Sequence, residues 1–289
     1  MRHASIYVAA VSLGALLASP VVGAPIYNNL TPNNQMAIAT RPGAPGVFEI
    51  EAGDDFVLGT QTLINGGSLV GLIVPTPGAV PTISDVVVEI YRVFPNDSNA
   101  ARIPNVPTRA NSPSDVEFDS RDSGASQLLF TSAVLSATFT ALNSVQPGGI
   151  HASPNQTTNG NGPITGQEVQ FNLTFNAPFN LPADHYFFVP QVAVTGGQFY
   201  WLSASRPISG PGTTPFSPDL QAWTRDANLD PDWLRVGTDI VGGGASAPTF
   251  NTAFSLDGTA IPEPASVLLV VAGLALIGVG RRIVLTRNS

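Results

Sequence analysis

Between residues 168 and 175 the chain alternates strictly, with Val169, Phe171, Leu173 and Phe175 apolar and Glu168, Gln170, Asn172 and Thr174 polar. Successive side chains of a β-strand point to opposite faces, so this stretch predicts a strand with one buried and one wetted face. Residues 85–94 set Val86, Val88 and Ile90 on one side and Glu89 and Tyr91 on the other, while Val87 and Val93 make the second side partly apolar too. That pattern predicts a more central strand. Comparable runs occupy 48–52, 69–74, 128–135, 186–194, 199–203, 233–236 and 250–256. Gly and Pro punctuate them. Thr195, Gly196, Gly197 and Gln198 between two apolar runs predict a hairpin, because glycine takes the positive φ that tight turns require. Pro190 inside its run predicts an edge strand or a bulge. No stretch of the middle sustains a helical period for a dozen residues. At least eight strands separated by turn signals predict an all-β fold, a two-sheet sandwich of jelly-roll type over residues 48–260, with 24–47 as an extended lead-in.

The two ends follow other rules. Arg2 precedes an apolar run from Ile6 to Leu17, and the small residues Val21, Gly23 and Ala24 follow it. This is the layout of a secretory signal peptide, with residues 1–23 removed by signal peptidase during export through the general secretion machinery. At the other end, Pro262, Glu263 and Pro264 lead into an apolar stretch at 265–280, which Arg281 and Arg282 close. At ~1.5 Å per residue this stretch spans about 24 Å as a helix, short for a hydrocarbon layer of roughly 30 Å. It predicts one marginal transmembrane helix whose arginines stay on the cytoplasmic side, leaving the β domain outside. That orientation agrees with the leader.

The order Pro262-Glu263-Pro264, short apolar helix, Arg281-Arg282 resembles the PEP-CTERM sorting signal of exported proteins in Gram-negative bacteria that make extracellular polysaccharide. The resemblance covers residues 261–289 and implies recognition by an exosortase, a membrane-embedded cysteine transpeptidase-like enzyme, with cleavage near 262–264. It implies a chain anchored transiently in the inner membrane and then delivered to the cell envelope or the extracellular matrix of a biofilm. The body also looks like the β-sandwich ectodomains that often precede such tails, on the strength of Asp54-Asp55-Phe56, Val88-Glu89-Ile90-Tyr91, Tyr200-Trp201-Leu202 and the closing run 254–259. That second resemblance implies no enzymatic activity.

Charge narrows the partners. Residues 24–261 hold eight Arg against nineteen Asp and Glu, a balance of −11, and an acidic surface repels phosphate backbones. Nucleic acid is therefore not expected as a partner. With no Cys, the fold has neither disulfides nor thiol chemistry to draw on.

Motifs for catalysis are missing: there is no paired-histidine metalloprotease helix, nucleophile elbow or phosphate-cradling glycine loop. After removal of the leader only His151 and His185 remain, and a triad drawn from His185, Ser123 and an Asp would fit any chain this rich in Ser and Asp. No catalytic residue and no obligatory cofactor are expected. One cluster stands out, Asp226, Asn228, Asp230 and Asp232, whose alternating oxygens suit a hard cation such as Ca2+. Pro231 stands where an EF-hand loop has Gly, and no bidentate Glu follows, so an Asx-rich surface turn is the competing reading. Trp201, Trp223 and Trp233 offer a second possibility, stacking on sugar rings, against the competing role of core packing. The sequence thus points to a non-enzymatic surface or matrix protein, structural or adhesive in a polysaccharide matrix. The alternative is a carbohydrate-binding or carbohydrate-cleaving module on the same scaffold.

Overall fold

The structure is a computed structural model that describes residues 25–94, 111–146, 157–205, 219–243 and 246–262. The leader at 1–23, Glu263, Pro264, the 265–280 stretch, Arg281, Arg282 and His151 lie outside the described residues. Among the described residues no helix is long and apolar enough to cross a membrane.

The chain is all-β. In order, its strands are β1 (Pro25–Asn28), β2 (Pro32–Ala39), β3 (Ile50–Leu58), β4 (Thr62–Pro75), β5 (Thr82–Arg92), β6 (Asp119–Asp122) and β7 (Leu128–Ala141). They continue as β8 (Asn143–Val145), β9 (Ile164–Leu181), β10 (Asp184–Thr195), β11 (Gly197–Ala204), β12 (Trp223–Asp226), β13 (Leu234–Arg235) and β14 (Phe254–Ala260). A single π-helical turn, Val236–Val241, follows β13.

Two sheets pack face to face. The first is built around β4, which has β9 along one edge, while β14 and β11 share the other edge end to end. β7 flanks β9, β1 flanks β14, and β2 and β8 lie beyond β11. The second sheet runs β13-β12-β3-β10-β5-β6. Alternation decides what lies between them. Val169, Phe171, Leu173 and Phe175 of β9 turn inward and are buried, as their spacing predicts, and Asn172 and Thr174 face water. From the second sheet Ile50, Ala52 and Phe56 of β3, Val86, Val88 and Ile90 of β5, and Tyr186 and Phe188 of β10 meet them in one core.

Trp201 anchors that core. Its indole is fully buried, its Nε1–H donates to Ala253 O at 3.0 Å, and its ring meets Phe188 and Phe254 edge-on at 6.0 and 5.6 Å. Such aromatic contacts add about 0.5–1.5 kcal/mol each beyond area burial. Close packing leaves no space at Gly71 of β4, where a Cβ would land on the Phe199 ring and the Tyr200 carbonyl.

A turn forms at 195–198 where the glycines predict one, with Gly196 at φ 73°, but it is not a hairpin: β10 pairs with β3 and β5 in the second sheet and β11 with β2 and β4 in the first, so the turn carries the chain from one sheet to the other. Two further expectations are corrected. Residues 24–47 are not a bare lead-in, because β1 and β2 lie there and Met36, Ala37 and Ile38 are fully buried against the core. The polar start of β2, Pro32-Asn33-Asn34-Gln35, hides it from pattern reading. Pro190 lies neither on an edge strand nor at a bulge, since β10 sits between β3 and β5 and its register shift falls later, between Ala193 and Val194. The ladder to β3 ends at Phe188↔Asp54, so at Pro190 the strand has a single β-neighbour, β5, and a missing N–H is tolerated there.

Candidate functional site

The second sheet carries a second apolar layer on its outward face. Residues one position out of phase with the core, Tyr91 of β5, Val93 just beyond its end, and Phe187 and Val189 of β10, form a cluster there with Trp223, Leu220 and Trp233. The segments 111–118 and 226–233 close over one end of this layer, where Trp233 Nε1–H donates to Ser114 O and Arg225 donates to Asp115 O. Aromatic area under these segments supplies the drive for them to lie down.

Within this layer sits a buried charge. Arg225 of β12 pairs side by side with Glu51 of β3, through Nε to Oε2 and through Nη2 to Oε1 at 3.1 Å. Its Nη1 donates to the carbonyls of Asp115 at 3.2 Å and Pro231 at 3.0 Å, and its Nη2 also reaches Tyr91 Oη at 2.9 Å. The guanidinium lies over Trp233 and Tyr91, 4.5 and 5.2 Å from the ring centroids. Burial works against the charge, but the charge and hydrogen bonds of Glu51 more than offset it and hold Arg225 above its ordinary pKa.

Glu89 completes the group. Tyr91 Oη lies 2.7 Å from Glu51 Oε1 and 3.0 Å from Glu89 Oε2. Burial, followed by the charges of Glu51 and Glu49, pushes Glu89 up to about 9. Glu89 is therefore protonated at neutral pH, which turns it from a third like charge into a hydrogen-bond donor. Glu49 is raised as well, by burial first and then by Glu51, with Gln191 Nε2–H donating to its Oε1 at 2.8 Å.

A second polar group lies further along the sheet. His185 Nε2 is 2.6 Å from Asp55 Oδ2, and Asp55 Oδ1 accepts from the Leu220 N–H at 2.8 Å. Burial holds the Asp55 carboxyl above its ordinary value, with His185 opposing. On the inward side Asp54 is fully buried and held well above the ordinary carboxylate range by burial and by Asp55, and its Oδ2 accepts from the Thr252 N–H and hydroxyl at 2.6 and 2.9 Å. Asp54 thus ties β3 to the segment before β14 across the core.

These contacts define the fate of the sequence-predicted residues. Asp226 Oδ1 accepts from the N–H groups of Asn228 and Leu229 at 2.9 and 3.2 Å, and Asp230 is 3.1 Å from Arg225 Nη1. Asp232 is buried. The loop therefore folds as an Asx turn closed on an arginine, and among the described residues no group of three or more His, Asp or Glu side chains is arranged to hold a metal ion. Trp201 is 0% exposed, and Trp223 and Trp233 are each 2% exposed, so none presents a face for a sugar ring. The stacking expectation for these three indoles is corrected on that ground, since a face already packed on protein has no room for a ligand. Ser123 is bonded to Asp85 and to the Val86 N–H, on the β6 side of the sheet, and makes no hydrogen bond to His185.

Sequence reading missed the Glu51–Arg225 pair because its members are 174 positions apart. A signal existed, since Glu51 and Arg225 are charges within or beside apolar β runs, and a charge in such a place is seldom buried unpaired. The chain matches no known family, no curated protein and no solved structure.

Proposed function

We propose that this chain is an exported, non-enzymatic protein of the cell envelope or extracellular matrix, structural or adhesive in role, sorted by an exosortase through a C-terminal PEP-CTERM signal. The observation that carries this reading is the sequence of features in the tail: Pro262-Glu263-Pro264, an apolar stretch at 265–280 and Arg281-Arg282, behind a leader at 1–23. A scaffold role is supported by the way the chemically capable side chains are engaged with one another. Glu51, Glu89, Tyr91 and Arg225 hold loops onto a sheet, and Asp54 joins two halves of the core.

The sandwich is of jelly-roll type in this reading. What supports it is the order of eight strands, β2-β11-β4-β9 in one sheet against β3-β10-β5-β6 in the other, with successive connections from β2 to β5 and from β9 to β11 passing between sheets.

The test is a tail deletion. In a Gram-negative host that produces an exosortase, the chain lacking residues 263–289 is expected in the periplasm or medium, and the whole chain in the envelope with its tail removed. Identical fractionation of both forms would overturn the sorting role of the tail.

A further inference from the structure

Five arginines lie among the described residues, and four of them face a carboxylate: Arg92 with Asp184, Arg121 with Asp119, Arg225 with Glu51 and Asp230, and Arg235 with Asp239. Arg41 does not. In a body with a balance of −11, a guanidinium left without an acid is the exception. Arg41 follows β2, where the chain crosses from the first sheet to the second, and it is half-buried. Its Nε–H donates to Phe48 O at 3.1 Å and its guanidinium lies over the Phe48 ring at 4.9 Å. Those contacts fix the side chain but leave the two terminal nitrogens with no hydrogen-bond acceptor among the described residues. Burial pushes Arg41 below its ordinary pKa, with the Tyr200 phenol opposing.

The guanidinium borders a groove of about 310 Å³ between the 41–47 segment and the turn that joins β10 to β11. Val47 and Val194 give it accessible apolar surface over the buried Val192 and Phe199, and Ser84, Thr195 and Gln198 are its polar side chains apart from Arg41. Their hydrogen-bonding capacity is complementary. Gln198 Oε1 is occupied by Tyr200 Oη–H at 2.9 Å, which leaves the amide N–H groups as donors, and Ser84 Oγ donates to Ala193 O at 3.3 Å, which leaves its lone pairs as acceptors. Small-molecule sites have this make-up, mostly apolar walls with a few placed polar groups, and this volume is at their lower limit.

We propose that this groove binds a carboxylate-bearing sugar residue, a hexuronate, with its carboxylate on the fork of Arg41 and its ring against the exposed apolar surface of Val47 and Val194. A planar guanidinium with two free nitrogens matches a carboxylate with two parallel hydrogen bonds. A pyranose ring has an apolar C–H face for the wall and hydroxyls that both give and accept, as Gln198 and Ser84 require. The site stands on Arg41 and its surroundings, so it does not depend on how the tail is processed.

The test is calorimetric titration of the full chain in mild detergent with digalacturonate, a neutral galactose disaccharide and sodium acetate. Digalacturonate is expected to bind, the neutral disaccharide and acetate to bind at least about tenfold more weakly. Arg41→Gln is expected to weaken digalacturonate binding by about ten- to a hundredfold at an unchanged melting temperature, for loss of two charge-assisted hydrogen bonds. Arg41→Lys, which keeps the charge and loses the fork, is expected to fall between the two. Val194→Asp, which sets a carboxylate on the opposite wall, gives a second route should Arg41→Gln fail to fold, and is expected to abolish binding. No binding by the native chain, equal binding of the neutral disaccharide or of acetate, or binding unchanged in the folded Arg41 and Val194 variants would each overturn the proposal.

Discussion

Replacing Arg225 with Met tests whether the outward layer is held by its buried ion pair. Methionine keeps an unbranched stem beneath Trp233 and removes the guanidinium, so the change isolates charge and hydrogen bonding. Three things are lost together: the paired bonds to Glu51, the bonds to the Asp115 and Pro231 carbonyls that hold two loops, and the stacking on Trp233 and Tyr91. Summing them would overstate the effect, since the native pair already bears the cost of leaving water. The larger consequence is that Glu51, only 3% exposed, keeps its place without a counter-charge. Breaking a buried pair from one side costs about 3–5 kcal/mol. With a urea slope of about 2 kcal/mol per molar, the midpoint should fall by about 2 M. Equilibrium urea unfolding followed by tryptophan fluorescence is a suitable assay, because Trp233 and Trp223 both lie in the affected layer. The double change Glu51→Leu with Arg225→Met should recover about 2 kcal/mol of the single-variant loss, as the orphaned carboxylate is gone. A loss below about 1 kcal/mol for Arg225→Met, or no recovery in the double variant, would refute the reasoning.

Other outcomes follow from the same contacts. Glu89 has a folded pKa of about 9 against an ordinary carboxylate value when unfolded, so between those values the native state holds a proton that the unfolded state has released. Its contribution is fully present below the ordinary pKa, and stability should decline as pH rises from about 5 to about 9, by no more than about 1.4 kcal/mol per unit. Glu89→Gln should flatten that decline in urea titrations at stepped pH, and an unchanged slope would count against a protonated Glu89. Trp201→Ala should cost about 3–5 kcal/mol or abolish folding, read by circular dichroism, and a well-folded variant of near-native stability would contradict its place in the core. Millimolar Ca2+ should leave the melting temperature within about one degree, because Asp226 and Asp230 are already engaged by protein donors, and a rise of several degrees would show that the 226–232 loop holds the ion after all.

Legibility in the sequence tracked one-sided burial. β9 was readable because one of its faces is wet and the other packs on the core, which imprints a period of two. β7 was readable only over 128–135, where apolar residues dominate; from Ser136 to Thr140 small and hydroxyl-bearing residues prevail and none is buried, so no buried face imprints a period there. The short strands β6, β8 and β12 carry too few residues for any period to emerge. Trp223 and Trp233 are large apolar groups in either role, and only the second layer, assembled from distant parts of the chain, decides between core and surface. Arg41 belongs to the same class of problem. Its interest lies in lacking a carboxylate, and the neighbours of a side chain are a property of the fold.

The most direct measurement is the intact mass and cellular location of the protein recovered from an exosortase-producing Gram-negative host. The leader and tail predict an envelope or extracellular product that begins near residue 24 and ends near residues 262–264, well below the 30.0 kDa of the whole chain. A soluble cytoplasmic product at full mass, with Met1 and Ser289 both in place, would contradict it.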